Sequence, residues 1–361
     1  MKSKTSPKKI KVVDLFSGCG GLSYGLEKAG FNVLLGVDNW GESLKTFKHN
    51  HPHAETLEAD ISKVKGSDIK KLIGNKKIDL IVGGPPCQGF SLSGPRKFYD
   101  KRNRLYLDFV RIVRELKPKA FVIENVPGLA ALFGGKVKER IIEEFSKMGY
   151  RVEAKVLNAS DYGIPQNRRR IIFVGLKGDK IFHFPEPTHF ENAHSSHRKK
   201  ISVREAIGDL PILNKEMGSE EMNYPSSPLS EYQKLVRKGS SKLYNHVASK
   251  HSIRTTQIVA LVPEGKNYKA LPQHLINTRN FHVAWTRLHR DKPSPTIDTG
   301  HRHHFHPTAN RVPTVREAAR IQSFPDTFKF LGSKTSQYKQ VGNAVPPMLA
   351  MRLGEELLKY M

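Results

Sequence analysis

Asp79-Leu80-Ile81-Val82-Gly83-Gly84-Pro85-Pro86-Cys87-Gln88-Gly89-Phe90-Ser91 runs from an apolar strand straight into a loop of glycines and prolines that carries one thiol. A short apolar run ending in such a loop reads as a strand of an open α/β sheet, and the carboxyl edge of that sheet is where ligands bind and react. The prolines fix φ and withhold backbone donors, while the glycines let a substrate approach the main chain. Two readings of Cys87 stand at this point: a nucleophile held out on the loop, or a small residue buried in an ordinary turn.

Working outward, the same grammar repeats. Lys11–Leu15 reads as a buried strand, 16–21 as a glycine-rich turn, and 22–29 as a helix closed by Gly30. A second strand over 33–37 ends at Asp38, 57–61 approaches another loop, Leu105–Leu116 has helical apolar spacing stopped by Pro118, and 120–124 is a further strand. Strand and helix alternate over about 175 residues, which predicts an α/β fold with a doubly wound, mostly parallel sheet.

From 181 to about 295 the rhythm is lost, and 13 of the 16 histidines lie between His183 and His306. The expected organisation is a first domain over 1–180, an inserted second domain over 181–300, and a return to the first over 301–361. Ser202-Val203-Arg204-Glu205 and Thr314-Val315-Arg316-Glu317 have capping-box spacing and should each open a helix. Leu349, Leu353 and Leu357 share one face of a final helix, placed most economically against the first domain.

Composition bounds the partner. In 361 residues, 60 Lys and Arg face 34 Asp and Glu, a formal charge of +26 that calls for a polyanion. No basic amphipathic stretch favours a membrane surface, and neither a signal sequence nor a span of transmembrane length is seen, so an intracellular protein is expected. The two cysteines, Cys19 and Cys87, have no metal or disulfide spacing. The run His301-Arg302-His303-His304-Phe305-His306 lacks helical ligand spacing, so no metal is expected.

Several side chains gather at strand ends. Asp14-Leu15-Phe16-Ser17-Gly18-Cys19-Gly20-Gly21 joins strand to helix, but Ser23 stands where a dinucleotide fingerprint needs its third glycine, so a nicotinamide cofactor is disfavoured. Asp38, 20 residues after Gly18, can accept from two ribose hydroxyls, Phe16 can stack on a purine, and Asp60 can accept from an exocyclic amine. Together they outline an adenosine pocket. Glu124 ends the strand beside the Cys87 loop, where partial burial would raise its proton affinity. Gln166, Arg168 and Arg170 alternate on an extended segment and can converge, either to orient an anion or carboxylate or as a plain basic edge.

As a set these residues resemble the cytosine-C5 DNA methyltransferase family of the bacterial restriction-modification type. The resemblance rests on DLFSGCGG at 14–21, GGPPCQGFS at 83–91, ENV at 124–126, QNRRR at 166–170, TVREAARIQSFP at 314–325 and QVGNAVPP at 340–347, in the family's order. It implies a Rossmann-like S-adenosylmethionine-dependent fold whose inserted domain recognises a target in double-stranded DNA. It also implies that Cys87 adds to C6 of a flipped-out cytosine, that Glu124 protonates or hydrogen-bonds N3, and that Arg168 holds the base carbonyl. Phe16, Gly18, Gly20, Asp38, Asn39, Asp60, Ile61, Pro85, Leu105 and Asn343 match cofactor-pocket positions, although Asn39 and Trp40 depart from the family's commonest residues there. The segment 88–104 would be a loop that closes behind Cys87. The implied setting is a cytoplasmic, nucleoid-associated monomer with a paired restriction endonuclease. A tRNA-methylating relative carries a further Cys-Phe-Thr motif, which is absent here; a non-catalytic binding protein on the same fold is the other alternative.

Overall fold

The computed structural model describes residues 9–86, 105–192, 197–214, 216–276, 285–299 and 304–361. Cys87, the rest of the 88–104 loop and His301 to His303 lie outside the described residues. The chain divides into two compact units: Met1–Leu157 with Arg169–Glu186 and Leu349–Met361, and Asn158–Arg168 with Pro187–Met348. The second unit therefore runs on to Met348, past the 300 boundary expected from composition, and takes in 158–168.

Seven strands build the first unit's sheet: β1 (Lys11–Leu15), β2 (Asn32–Asp38), β3 (Glu55–Glu58), β4 (Leu80–Gly83), β5 (Ala120–Asn125), β6 (Tyr150–Asn158) and β7 (Arg169–Lys177). Their order is β3-β2-β1-β4-β5-β7-β6. β1 to β5 are parallel, whereas β7 is antiparallel to β5. Residues 159–168, which hold one short helical turn at Ala159–Tyr162 and no crossover helix, separate β6 from β7, and a parallel return needs such a helix. The order reverses between β1 and β4, a topological switch point whose crevice opens at the strands' carboxyl ends.

Register decides what meets there. Leu15 pairs with Val37 on one side and Gly83 on the other, and Gly83 pairs with Ile123. The next residue along each strand, Phe16, Asp38, Gly84 and Glu124, thus forms the row at the sheet's edge. Because Asn125 pairs with Ile171, β7 brings Arg170 to the same edge from the opposite direction.

Helices α1 (Gly21–Lys28), α2 (Gly41–Asn50), α3 (Gly66–Leu72) and α4 (Leu105–Leu116) cover the sheet. The core under α4 joins Phe109, Ile112 and Val113 to Phe121, Phe145 and Phe173, all fully buried. Phe121 stacks on Phe145 at 3.8 Å between centroids and lies over Gly175, its partner on β7, where a Cβ would collide with the ring. Each such side chain contributes about 1.5–3 kcal/mol of burial. The last helix, Pro347–Leu357, buries Leu349, Leu353 and Leu357 and crosses α1 closely at Gly354, where an added Cβ would stand 2.8 Å from Ala29.

In the second unit, capping boxes at Ser202 and Thr314 open Val203–Ile207 and Val315–Ile321, as their spacing predicts, and a third at Ser230 opens Glu231–Arg237. A buried charge network holds these helices. Arg320, fully buried, bonds both Asp326 oxygens, Asp209 and the Ala206 carbonyl. Arg316 satisfies its guanidinium on the carbonyls of Tyr244, Pro325 and Phe328. No helix among the described residues is long and apolar enough to cross a membrane, and no described cluster of His, Cys, Asp and Glu could hold a metal.

Candidate active site

The loop leaving β1 is bent by positive φ at Phe16 (60°), Gly18 (54°) and Gly20 (94°). At Phe16 this is a strained conformation for a bulky side chain, of the kind that persists where a site over-determines it. Asp38 holds the bend: its Oδ2 accepts from Gly18 N at 2.8 Å and its Oδ1 from Trp40 N at 2.9 Å. Among the described residues nothing stands within 4 Å of where a Cβ would lie on Gly18, so its backbone allows close approach there.

Asp60 is exposed at the end of β3 and caps Ile61–Lys63 through Ser62; those bonds, the side-chain one first, hold its carboxyl below the usual range. Phe16 is half-buried and Asn39 exposed. Ile61 is core, packed under α4, so only its backbone can face a ligand. Leu105 starts α4 and packs partly on the same core.

Asp14 was not among the expected site residues. It is 1% exposed at the end of β1, and Ser23 Oγ donates to its Oδ2 at 2.7 Å, which explains the serine in place of a glycine. Burial pushes its carboxyl up to about 7, against the Ser23 bond, with the Asp38 charge adding to the rise. An acid ending a buried strand with a hydroxyl nine residues on was the available signal.

At β4 and β5 the reactive edge takes shape. Gly84 passes so close to Glu124 that a Cβ there would stand 3.1 Å from Oε2. Asn125 Nδ2 donates to the Pro85 carbonyl at 2.8 Å and so ties the Gly-Pro-Pro turn to β5. Arg170 Nε lies 2.8 Å from Glu124 Oε1. Of the two cysteines, Cys19 is buried and its thiol is pushed up to about 12 by that burial, so it is no nucleophile. Cys87 follows three residues after Gly84.

Gln166, Arg168 and Arg170 do not share one ligand. Gln166, fully buried, donates to Gln322 and accepts from Ile297 N at 2.9 Å. Arg168, 2% exposed, donates to the carbonyls of Ile297 at 3.2 Å and Gly342 at 2.9 Å, the latter in the last turn of Lys334–Asn343, where a helix dipole favours a cation. The alternation expected of one extended strand fails because β7 begins only at Arg169. Gln166 and Arg168 stitch the second unit together, and exposed Asn343 also belongs to that unit.

Comparison with known proteins covers nearly the whole chain. A family model described as C-5 cytosine-specific DNA methylase matches residues 10–359. The Type II methyltransferase M.DdeI of Desulfomicrobium norvegicum is 40% identical over 97% of this chain and 89% of its own length. The Type II methyltransferase M1.HphI of Haemophilus parahaemolyticus is 39% identical over 97% and 87%. Among solved structures, one described as a prophage-encoded DNA modification methyltransferase of E. coli superposes with a TM-score of 0.79 at 28% identity, covering 98% of this chain and 99% of that one.

Proposed function

The chain belongs to the C-5 cytosine-specific DNA methylase family and is a DNA (cytosine-5-)-methyltransferase, and from that premise we propose which of its residues carry the reaction. The observation that supports the assignment is the Arg170–Glu124 pair set against the Gly84-Pro85 turn, which Cys87 follows two residues on in the sequence.

Cys87 bonds through its thiolate sulfur to C6 of the cytosine, and the electron pair displaced from the C5–C6 bond makes C5 nucleophilic. Glu124 hydrogen-bonds or protonates N3, so charge does not build on the ring. Arg170, rather than the buried Arg168, is the arginine beside Glu124; it fixes the carboxyl and reaches the base carbonyl. S-adenosylmethionine, the methyl donor of the family, supplies an electrophilic methyl group when bound. Loss of the C5 proton then lets the C5–C6 double bond re-form as Cys87 leaves as thiolate. C6 is inaccessible in a stacked duplex, so the base is extruded, at about a few kcal/mol.

The residues at the β1, β2 and β3 ends fit the cofactor by their donor set: an open glycine backbone at Gly18, the Asp38 carboxylate for the ribose, Phe16 for the adenine face and Asp60 for its amine. Pro85, Gly20 and Leu105 would line the remainder, and the family resemblance adds Asn343 to the set. The second unit would read the target sequence, with the chain's excess of Lys and Arg offsetting phosphate charge. The setting this implies is a monomer in the cytoplasm, at the nucleoid, paired with a restriction endonuclease. The tRNA and non-catalytic alternatives draw no support from relatives named Type II methyltransferases.

The test is transfer of labelled methyl from S-adenosylmethionine to duplex DNA. Wild type should label the DNA and Cys87→Ala should not, while still binding it. Transfer by Cys87→Ala would overturn the nucleophile assignment.

A further inference from the structure

Beneath the glycine loop lies a buried histidine that the chemistry above does not use. His51 closes the end of α2 and its ring is wholly out of solvent. Nδ1 stands 2.9 Å from Glu27 Oε2 on α1, and Nε2 stands 3.3 Å from the Gly20 carbonyl oxygen. His53 Nε2, on a half-exposed side chain, stands 2.9 Å from the other Glu27 oxygen. Phe47 lies against the imidazole at 4.4 Å between centroids. Gly20 sits directly on this ring: a Cβ there would collide with His51 Nε2, and its φ of 94° is itself glycine territory.

Filling that space would require only an apolar ring. A buried imidazole–carboxylate pair instead carries a desolvation cost, and an apolar replacement of similar volume is often no less stable. What the polar pair adds is direction. Glu27 fixes the plane of the ring, and the ring joins Tyr24 N–H, which donates to the same oxygen at 2.8 Å, in fixing the Gly20 carbonyl and hence the peptide units that begin α1. We propose that His51, oriented by Glu27, is a positioning residue that holds the glycine loop in its ligand-ready shape before S-adenosylmethionine enters. Holding the bound shape in advance raises affinity by removing the ordering cost from the binding step. The proposal rests on this loop being the cofactor site.

Two substitutions separate direction from packing. His51→Phe keeps a flat ring but no polar contact; His51→Gln keeps a donor for Gly20. Binding of S-adenosylmethionine by calorimetry, DNA affinity, kcat at saturating cofactor and melting temperature are measured for each. His51→Phe should weaken cofactor binding about tenfold, equivalent to about 1.4 kcal/mol, with DNA affinity within about twofold and kcat largely kept. His51→Gln should recover most of the loss. Unchanged cofactor affinity in His51→Phe overturns the proposal, as does a parallel loss of cofactor and DNA binding with no recovery in His51→Gln. Should His51→Phe fail to fold, Glu27→Gln carries the test: a weakening of threefold or more is expected, and none overturns it. Asp38→Ala is the control. If it weakens cofactor binding while His51→Phe does not, the His51 role alone fails; if neither weakens it, the pocket reading fails.

Discussion

Arg170 Nε and Glu124 Oε1 are 2.8 Å apart, on side chains only 13% and 11% exposed. β7 makes this pair possible by running against β5, so that Arg170 arrives at the edge where Glu124 ends its strand. Glu124→Gln should cut methyl transfer by about 10²–10⁴-fold, the usual worth of a positioned acid–base group. Arg170→Ala should lower kcat more than it weakens cofactor binding. Steady-state kinetics with both substrates varied checks this; a loss confined to the S-adenosylmethionine KM would place the pair elsewhere.

Asn125 acts on the turn, not on the substrate. Removing its bond to the Pro85 carbonyl in Asn125→Ala should cost about 1 kcal/mol of stability, measured by urea unfolding. The loss in kcat should be larger than that figure implies, because the thiol sits two residues beyond Pro85.

Asp14 predicts a pH signature. Its carboxyl is pushed from 3.8 up to about 7 by burial, so between those values the folded chain holds a proton that the unfolded chain has released. The associated stability is therefore present at low pH and is lost as pH rises through about 7. Asp14→Asn should flatten this slope and be the more stable protein at pH 8. Unfolding free energies from pH 5 to 8 measure it, and parallel curves for the two proteins would contradict it.

In the second unit Arg320 is buried between Asp209 and Asp326. Arg320→Ala leaves two buried carboxylates facing a void and should destabilise by about 3–5 kcal/mol. Thermal unfolding should show the loss, and a shift under about 1 kcal/mol would mean that the network contributes little.

Much of this was legible in the chain because periodicity is local. Leu105–Leu116 shows its apolar face within twelve residues, and Lys11–Leu15 and its glycine turn declare a strand and the bend that follows it without outside help. What could not be read depends on residues far apart in sequence. The pairing of Gln166 with Gln322 spans 156 positions, and only that burial shows Arg168 to be a stitch in the second unit. Likewise Ser23 looks like a missing glycine until Asp14 is seen beneath it, and the sequence carries no direction for β7, which pairs antiparallel with β5.

The claim on which the rest depends is a covalent bond between the Cys87 sulfur and C6 of cytosine. Duplex DNA carrying 5-fluorocytosine at the target blocks the final step, since fluorine cannot leave C5 as the proton does. Incubated with S-adenosylmethionine, the wild-type protein should form an adduct that survives denaturation, with peptide mass spectrometry placing the bond on Cys87. Recovery of intact protein and DNA with no adduct, or an adduct on any other residue, would contradict the account.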